Sequence, residues 1–184
     1  MNDVNEKCLE QFPKWLETHG TDVHTIVEAL KRDTLAPAAK PPLVGWLNYL
    51  FKALDLIPDG VEDIGYIDDA IILRMAAKSA LEGDLGSVDD GLKSRLQQLA
   101  DDTETVAEFL DQSLLERLEK YAAKLSRGAA RGRTVDEIIE ESEVFESFTA
   151  DVEKFVRDYV APDFQSDENS LVKLKAFLDS KLPR

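Results

Sequence analysis

The side chains of this 184-residue chain with the most chemical potential are concentrated between Asp55 and Asp69, in the run DLIPDGVEDIGYIDD. Six carboxylates, Asp55, Asp59, Glu62, Asp63, Asp68 and Asp69, fall within fifteen positions, and no basic residue stands among them. They alternate with Leu56, Ile57, Val61, Ile64, Tyr66 and Ile67, which belong in a core, so some of the carboxylates are carried into apolar surroundings. Two kinds of chemistry follow. In one, Asp55, Asp59, Asp68 and Asp69 converge across the turn on a hard divalent cation, Mg²⁺ or Ca²⁺, for which an oxygen-only ligand set is suited. In the other they act separately. Asp55 or Asp59 accepts amide hydrogen bonds where the chain restarts around Pro58, and Asp68 or Asp69 occupies the positive end of the next helix, each cap worth about 1 kcal/mol. In this second reading Gly65 supplies a positive φ between the elements. The order of an EF-hand loop is not matched.

Elsewhere the chemistry is thin. His19 and His24 are five residues apart with Gly20 between them, which does not place two imidazoles on one helix face, so they read as surface or interhelix histidines. Cys8, the single cysteine, stands at an apolar helical position and reads as a small core residue; alone it forms no internal disulfide and suits a reducing compartment. The chain holds no G-x-S-x-G, G-x-G-x-x-G, P-loop or H-E-x-x-H sequence, so no catalytic or cofactor-binding residue is assigned and the reading leans away from an enzyme. Arg127, Arg131 and Arg133, with Lys124 nearby, form one basic cluster, which either binds an acidic or phosphate group or places cations at a helix C-terminus.

The elements that must position these groups are helical throughout. Apolar residues recur at helical spacing along almost the whole length, and alternating strand patterns are scarce. The spacing predicts a first helix from about Asp3 to His19, stopped at Gly20 and interrupted or kinked by Pro13, then a second opening at Thr21 with Val23, Ile26, Val27 and Leu30 as its stripe. Leu43 to Leu54 and Tyr66 to Leu81 form an apolar hairpin on either side of the acidic segment. Beyond Gly83 to Gly86, Ser87 and Asp90 suggest a capping box, followed by a helix bearing Leu92, Leu96 and Leu99 and a longer one from about Thr103 to Leu125. Thr134 and Glu137 suggest another box, opening a helix that reaches Val160, and Leu171, Leu174, Phe177 and Leu178 mark a last helix.

These elements predict one all-α domain over residues 1–184, a bundle of about seven or eight helices with the apolar hairpin of residues 42–81 at its centre and residues 87–184 packed on it. A net charge of −15, from 22 basic and 37 acidic side chains, opposes nucleic acid and anionic lipid as partners. The charges inside both hairpin segments make neither a membrane span, although Trp46 and Tyr49 leave a peripheral membrane contact open. The first residues, MNDVNEKCLEQF, lack the apolar run of a secretory signal, and the expectation is a cytoplasmic protein.

The two acidic motifs also carry a likeness. Leu54-Asp55-Leu56-Ile57-Pro58-Asp59 and Ile64-Gly65-Tyr66-Ile67-Asp68-Asp69 resemble the signature of the mainly bacterial YkvA-like family of unknown function, over roughly Pro42 to Leu81. That family's pattern is an apolar helix, an Asp-Leu-Ile-Pro-Asp turn, a short bridge, Gly-Tyr-Leu-Asp-Asp and a second apolar helix. The chain departs from it at Lys52-Ala53, where members have Ser-Pro, and at Gly60 and Glu62, where an aromatic residue and a proline are usual. The resemblance implies a helical-hairpin fold and no particular activity. The expected function is a protein-interaction or regulatory module, with a metal-binding protein, conceivably a metal-dependent hydrolase, as the alternative.

Overall fold

The structure is a computed structural model that describes residues 3–52, 55–61, 64–164 and 167–184. Ala53, Leu54, Glu62 and Asp63, which belong to the two motifs and the bridge between them, lie outside the described residues. The chain is a helical bundle, and the described residues add only one two-stranded hairpin to it.

At its centre stand α2 (Lys40–Tyr49) and α3 (Ile67–Leu81), packed on each other as the apolar hairpin requires. Pro41 and Pro42 open α2, where first-turn amides have no intrahelical acceptor to lose. Twelve of the fifteen residues of α3 are buried, including Asp68, Asp69 and Arg74, so it is the core helix around which the others assemble. Its partners besides α2 are α1 (Asp3–Lys31), α4 (Asp90–Asp101), α5 (Thr103–Phe109) and α6 (Gln112–Leu125). The outer layer is completed by α7 (Val135–Glu140) and α8 (Ser142–Asp158), which pack on α2 and α1 respectively, and by α9 (Glu168–Lys181) against α1 and α6.

Several boundaries differ from expectation, each for a packing reason. The two expected N-terminal helices are one: α1 runs for 29 residues through both Pro13 and Gly20. Its buried stripe of Cys8, Phe12, Trp15, Leu16, His19, Val23, Ile26, Val27 and Leu30 keeps helical phase throughout, and that burial outweighs the roughly 1 kcal/mol that an interior glycine costs. Gly20 is a contact residue rather than a stop signal, because a Cβ there would lie 3.0 Å from Cδ1 of Tyr159. Conversely, two expected long helices are split. Leu110 is extended and Asp111 caps α6 by accepting from the Leu114 amide at 3.0 Å, while extended Glu141 separates α7 from α8. The cap of α4 is Asp89, which accepts from Leu92 N at 2.8 Å, and not Ser87. The box of Thr134 and Glu137 forms reciprocally at the start of α7.

The basic cluster becomes a tight hairpin of β1 (Ala129–Ala130) and β2 (Arg133–Thr134), turned at Arg131 and Gly132, both at positive φ. Arg133 approaches Asp151 of α8 to 2.8 Å, and Arg131 lies 3.9 Å from the same carboxylate, so the hairpin is tied to the bundle by charge. Among the described residues no helix is long and apolar enough to cross a membrane.

Candidate functional site

The acidic segment bridges α2 and α3, and the apolar residues that alternate with its carboxylates draw it inward. Leu56, Ile57, Ile64 and Ile67 are buried, and Asp68 and Asp69 in the first turn of α3 are buried with them. Asp68 does not cap its own helix by side chain. It accepts from the Tyr49 hydroxyl at 2.6 Å and from the Ile57 amide at 3.1 Å, and Tyr49 in turn accepts from the Leu56 amide at 2.9 Å. One phenol and one carboxylate thus satisfy the two backbone donors of the restarting chain, the role expected of Asp55 or Asp59; it falls instead to Tyr49 and Asp68, which the docking of α2 on α3 brings to the buried amides. Trp46 of α2 donates its indole N–H to the Asp69 carbonyl at 2.9 Å, closing the hairpin from the other side.

The close approach at Gly65 is of a different kind from the one expected. Its backbone is not among those at positive φ; a Cβ there would instead fall 2.4 Å from the Asp59 carbonyl oxygen and 2.9 Å from that of Val61. The left-handed residue is Tyr66, at φ 62° and ψ 1°, immediately before α3. A bulky side chain in that region is strained by the order of 1 kcal/mol. The Tyr66 ring packs against Phe155 and Tyr159.

The carboxylates are electrostatically crowded. Burial raises the Asp55 carboxyl to a pKa of about 7, with Asp59 and Asp68 adding to the rise. Burial likewise raises Asp68, against the opposing hydrogen bonds from Tyr49 and Ile57, and holds Asp69 well above the carboxylate range with help from Asp68, Asp59 and Asp55. Asp59, on the surface, is raised by the protein mass around it and lowered by a hydrogen bond from Tyr66. One oxygen on each of Asp55, Asp68 and Asp69 is buried without a hydrogen-bond partner. The four aspartates therefore share one field. Even so, among the described residues no group of three or more His, Cys, Asp or Glu side chains is arranged to hold a metal ion.

Above this network opens a cleft of about 300 Å³, lined by Tyr66, Phe155, Tyr159, Phe51 and Asp59 and rimmed by ion-paired residues of α8 and the β-hairpin. Tyr66, Phe155 and Tyr159 form an aromatic wall, with ring centroids 5.3 to 6.0 Å apart. At the rim, Lys154 pairs with Asp158, and Arg131 lies over the Phe51 ring and beside Asp151. Among the described residues no cation pairs with Asp59. Phe51, Tyr66, Phe155 and Tyr159 went unnoticed as site residues in the sequence, where an aromatic at helical spacing reads as core; a tyrosine between a glycine and a helix start was the one available sign.

His19 backs the same wall, fully buried, its ring 5.4 Å from Tyr159 and 6.5 Å from Tyr66. Burial, with Arg74 nearby, lowers its pKa to about 3, so it is a neutral imidazole, and neither ring nitrogen has a partner. His24 is exposed. Cys8 is buried and its thiol is pushed up to about 11 by desolvation, which makes it a core residue and a poor nucleophile. Of the basic cluster, Arg131 and Arg133 are used in holding Asp151. Lys124 lines a separate cavity of about 250 Å³ with Lys52, whose ammonium donates to the Tyr121 hydroxyl at 2.8 Å.

Compared with protein-family models, with curated proteins and with solved structures, the chain matches none.

Proposed function

We propose that this chain is a protein-interaction or regulatory module of the YkvA-like kind, working in the bacterial cytoplasm, and that its partner presents basic side chains to the cleft above the acidic segment. The kinship rests on the Asp-Leu-Ile-Pro-Asp and Gly-Tyr-Ile-Asp-Asp motifs. One observation carries the function: an aromatic wall ends at a surface carboxylate, Asp59, that no cation among the described residues neutralises, near the half-buried Asp55 and the buried Asp68 and Asp69. In a chain of net charge −15, such a cleft attracts cations over distance and offers them a defined end point. Titration with a short basic peptide at two ionic strengths tests this. Saturable binding that weakens with salt and is lost when the peptide lysines and arginines are replaced by serine supports the module; absence of binding at low salt rejects it.

A second reading keeps the aspartates as a Mg²⁺ or Ca²⁺ site, and one observation favours it: the unpartnered buried oxygens of Asp55, Asp68 and Asp69. A hard cation would relieve their repulsion, with Asp59 as the outermost ligand, once the bridge has shifted to gather the oxygens around one point. Under this reading Ca²⁺, Mg²⁺ or Mn²⁺ raises the melting temperature, and Asp55→Asn with Asp68→Asn abolishes the rise. Identical melting with metal and with chelator removes it.

A further inference from the structure

The cavity that holds Lys52 and Lys124 shares no lining residue with the cleft above the acidic segment. It forms where α6 lies close on α2: a Cβ at Gly45 would fall 2.4 Å from the Leu125 carbonyl oxygen, so only glycine leaves that carbonyl its place. Its walls are mostly apolar, from Leu125, Ala129, Ala130 and Pro183. Arg117 fixes the Pro183 side, donating to the Pro183 carbonyl at 3.1 Å and to that of Leu182 at 2.6 Å. At about 250 Å³ the cavity is smaller than the roughly 300 to 1,000 Å³ of pockets for drug-sized ligands, so its occupant is small.

Three polar groups in its lining want partners. Lys52 is half-buried, and its ammonium uses one of three N–H donors on the Tyr121 hydroxyl at 2.8 Å, with its charge 4.8 Å from the Tyr121 ring centroid. Neither Lys52 nor Lys124 has an ion-pair partner among the described residues. Burial lowers the pKa of Lys52, and Asp55 attracts the ammonium without forming an ion pair with it. Taking a charge out of water without a counter-ion is costly, and an anion beside the two lysines offsets that cost. The third group is Asn48, which is 2 % exposed: its Nδ2 donates to the Arg133 carbonyl at 3.1 Å, while its Oδ1 is buried without a donor. The net charge of −15 opposes polyanions at long range, but salt limits that field to about 8 Å. Beside the cavity two ammonium groups therefore stand against Asp55, Asp68 and Asp69, whose own charge burial disfavours.

We infer that this cavity binds a small organic acid, its carboxylate held by the Lys52 and Lys124 ammonium groups, its apolar body against Leu125, Ala130 and Pro183, and a hydroxyl or amide N–H donated to Asn48 Oδ1. A mostly apolar lining with a few polar groups is the general form of a small-molecule site, and here those groups call for one anion and one donor. The site stands apart from the basic partner of the cleft and does not depend on it.

The test is calorimetric titration of the full chain with hydroxyisocaproate, beside isocaproate, which lacks the hydroxyl, hydroxyisocaproamide, which lacks the charge, and inorganic phosphate, which lacks the body. Hydroxyisocaproate is expected to bind saturably and about tenfold more tightly than each of the others. Lys52→Met, checked for unchanged helix content by circular dichroism, is expected to weaken it about tenfold, and Asn48→Leu to erase its advantage over isocaproate. A measurement on the parent chain needs no variant: hydroxyisocaproate is expected to slow reductive methylation of Lys52 and Lys124 about tenfold, read by peptide mass, and to leave the exposed Lys93 unchanged. Protection of Lys52 no greater than that of Lys93, or binding that Lys52→Met leaves intact, would overturn the site. So would an amide that binds as tightly as the acid, or phosphate that protects Lys52 equally well.

Discussion

The Tyr49 hydroxyl donates to Asp68 Oδ2 at 2.6 Å, joining the last turn of α2 to the first turn of α3 across the acidic segment. Because the same hydroxyl accepts from Leu56 N and the same carboxylate oxygen accepts from Ile57 N, this one contact decides where the restarting chain lies. It also keeps a buried carboxyl group from standing alone in the core.

Removing the phenol oxygen is therefore costly. Tyr49→Phe leaves the Leu56 amide and one side of Asp68 without partners in a buried place, and a loss of about 1 to 3 kcal/mol is expected. Urea unfolding of Tyr49→Phe, Asp68→Asn and the double variant measures it. The double variant is expected to cost less than the sum of the singles, because the two groups act in one network; strict additivity would show that they do not.

The raised carboxyls make stability depend on pH with a definite sign. A carboxyl whose pKa is higher folded than unfolded binds its proton more tightly in the folded state, so its contribution is complete below about pH 4, the unfolded value, and is lost as pH rises through the folded value. For Asp55 that loss runs from about pH 4 to about pH 7 and is complete above it. Asp55→Asn is expected to melt about 2 to 4 °C above the parent at pH 8, the shift made by about 1 kcal/mol in a chain of this size, and close to it at pH 4. Scanning calorimetry at the two pH values decides.

His19 acts in the opposite direction. Its folded pKa of about 3 lies below the unfolded value of about 6.5, so stability present above the latter is lost as pH falls toward the former. His19→Leu removes that loss. Relative to the parent, the variant is expected to gain about 3 kcal/mol between pH 8 and pH 4, read from denaturant midpoints.

Gly65→Ala tests the close approach in the bridge. The added methyl would meet the backbone oxygens of Asp59 and Val61, and backbone does not swing aside as a side chain does. A destabilisation of about 1 to 3 kcal/mol is expected, against a smaller one for Gly20→Ala, whose neighbour is the Tyr159 ring. Comparable melting of the two variants would show that the bridge yields.

The acidic segment, the apolar hairpin and the helical class were all legible in the residues themselves. Periodicity marks which residues seek the core, and it marked the stripe of α1 and the apolar α3; the capping box of Thr134 and Glu137 was legible from its local motif. Helix ends were less legible. Gly20 reads locally as a stop, and only the distant Tyr159 explains why it is a point of contact inside one long helix. Leu110 and Glu141 carry no local breaker, yet the chain turns there to bring α6 and α8 onto the bundle.

The sequence by itself determined that carboxylates would be carried inward by the isoleucines and leucines between them, because burial follows residue type and spacing. Only the tertiary structure decided what this segment meets: Tyr49 at the Asp68 carboxylate, Trp46 at the Asp69 backbone carbonyl, and, in the cleft beside the exposed Asp59, Phe155 and Tyr159 from more than ninety residues away. Such partnerships depend on how helices distant in the chain are rotated and docked, and no local pattern encodes that.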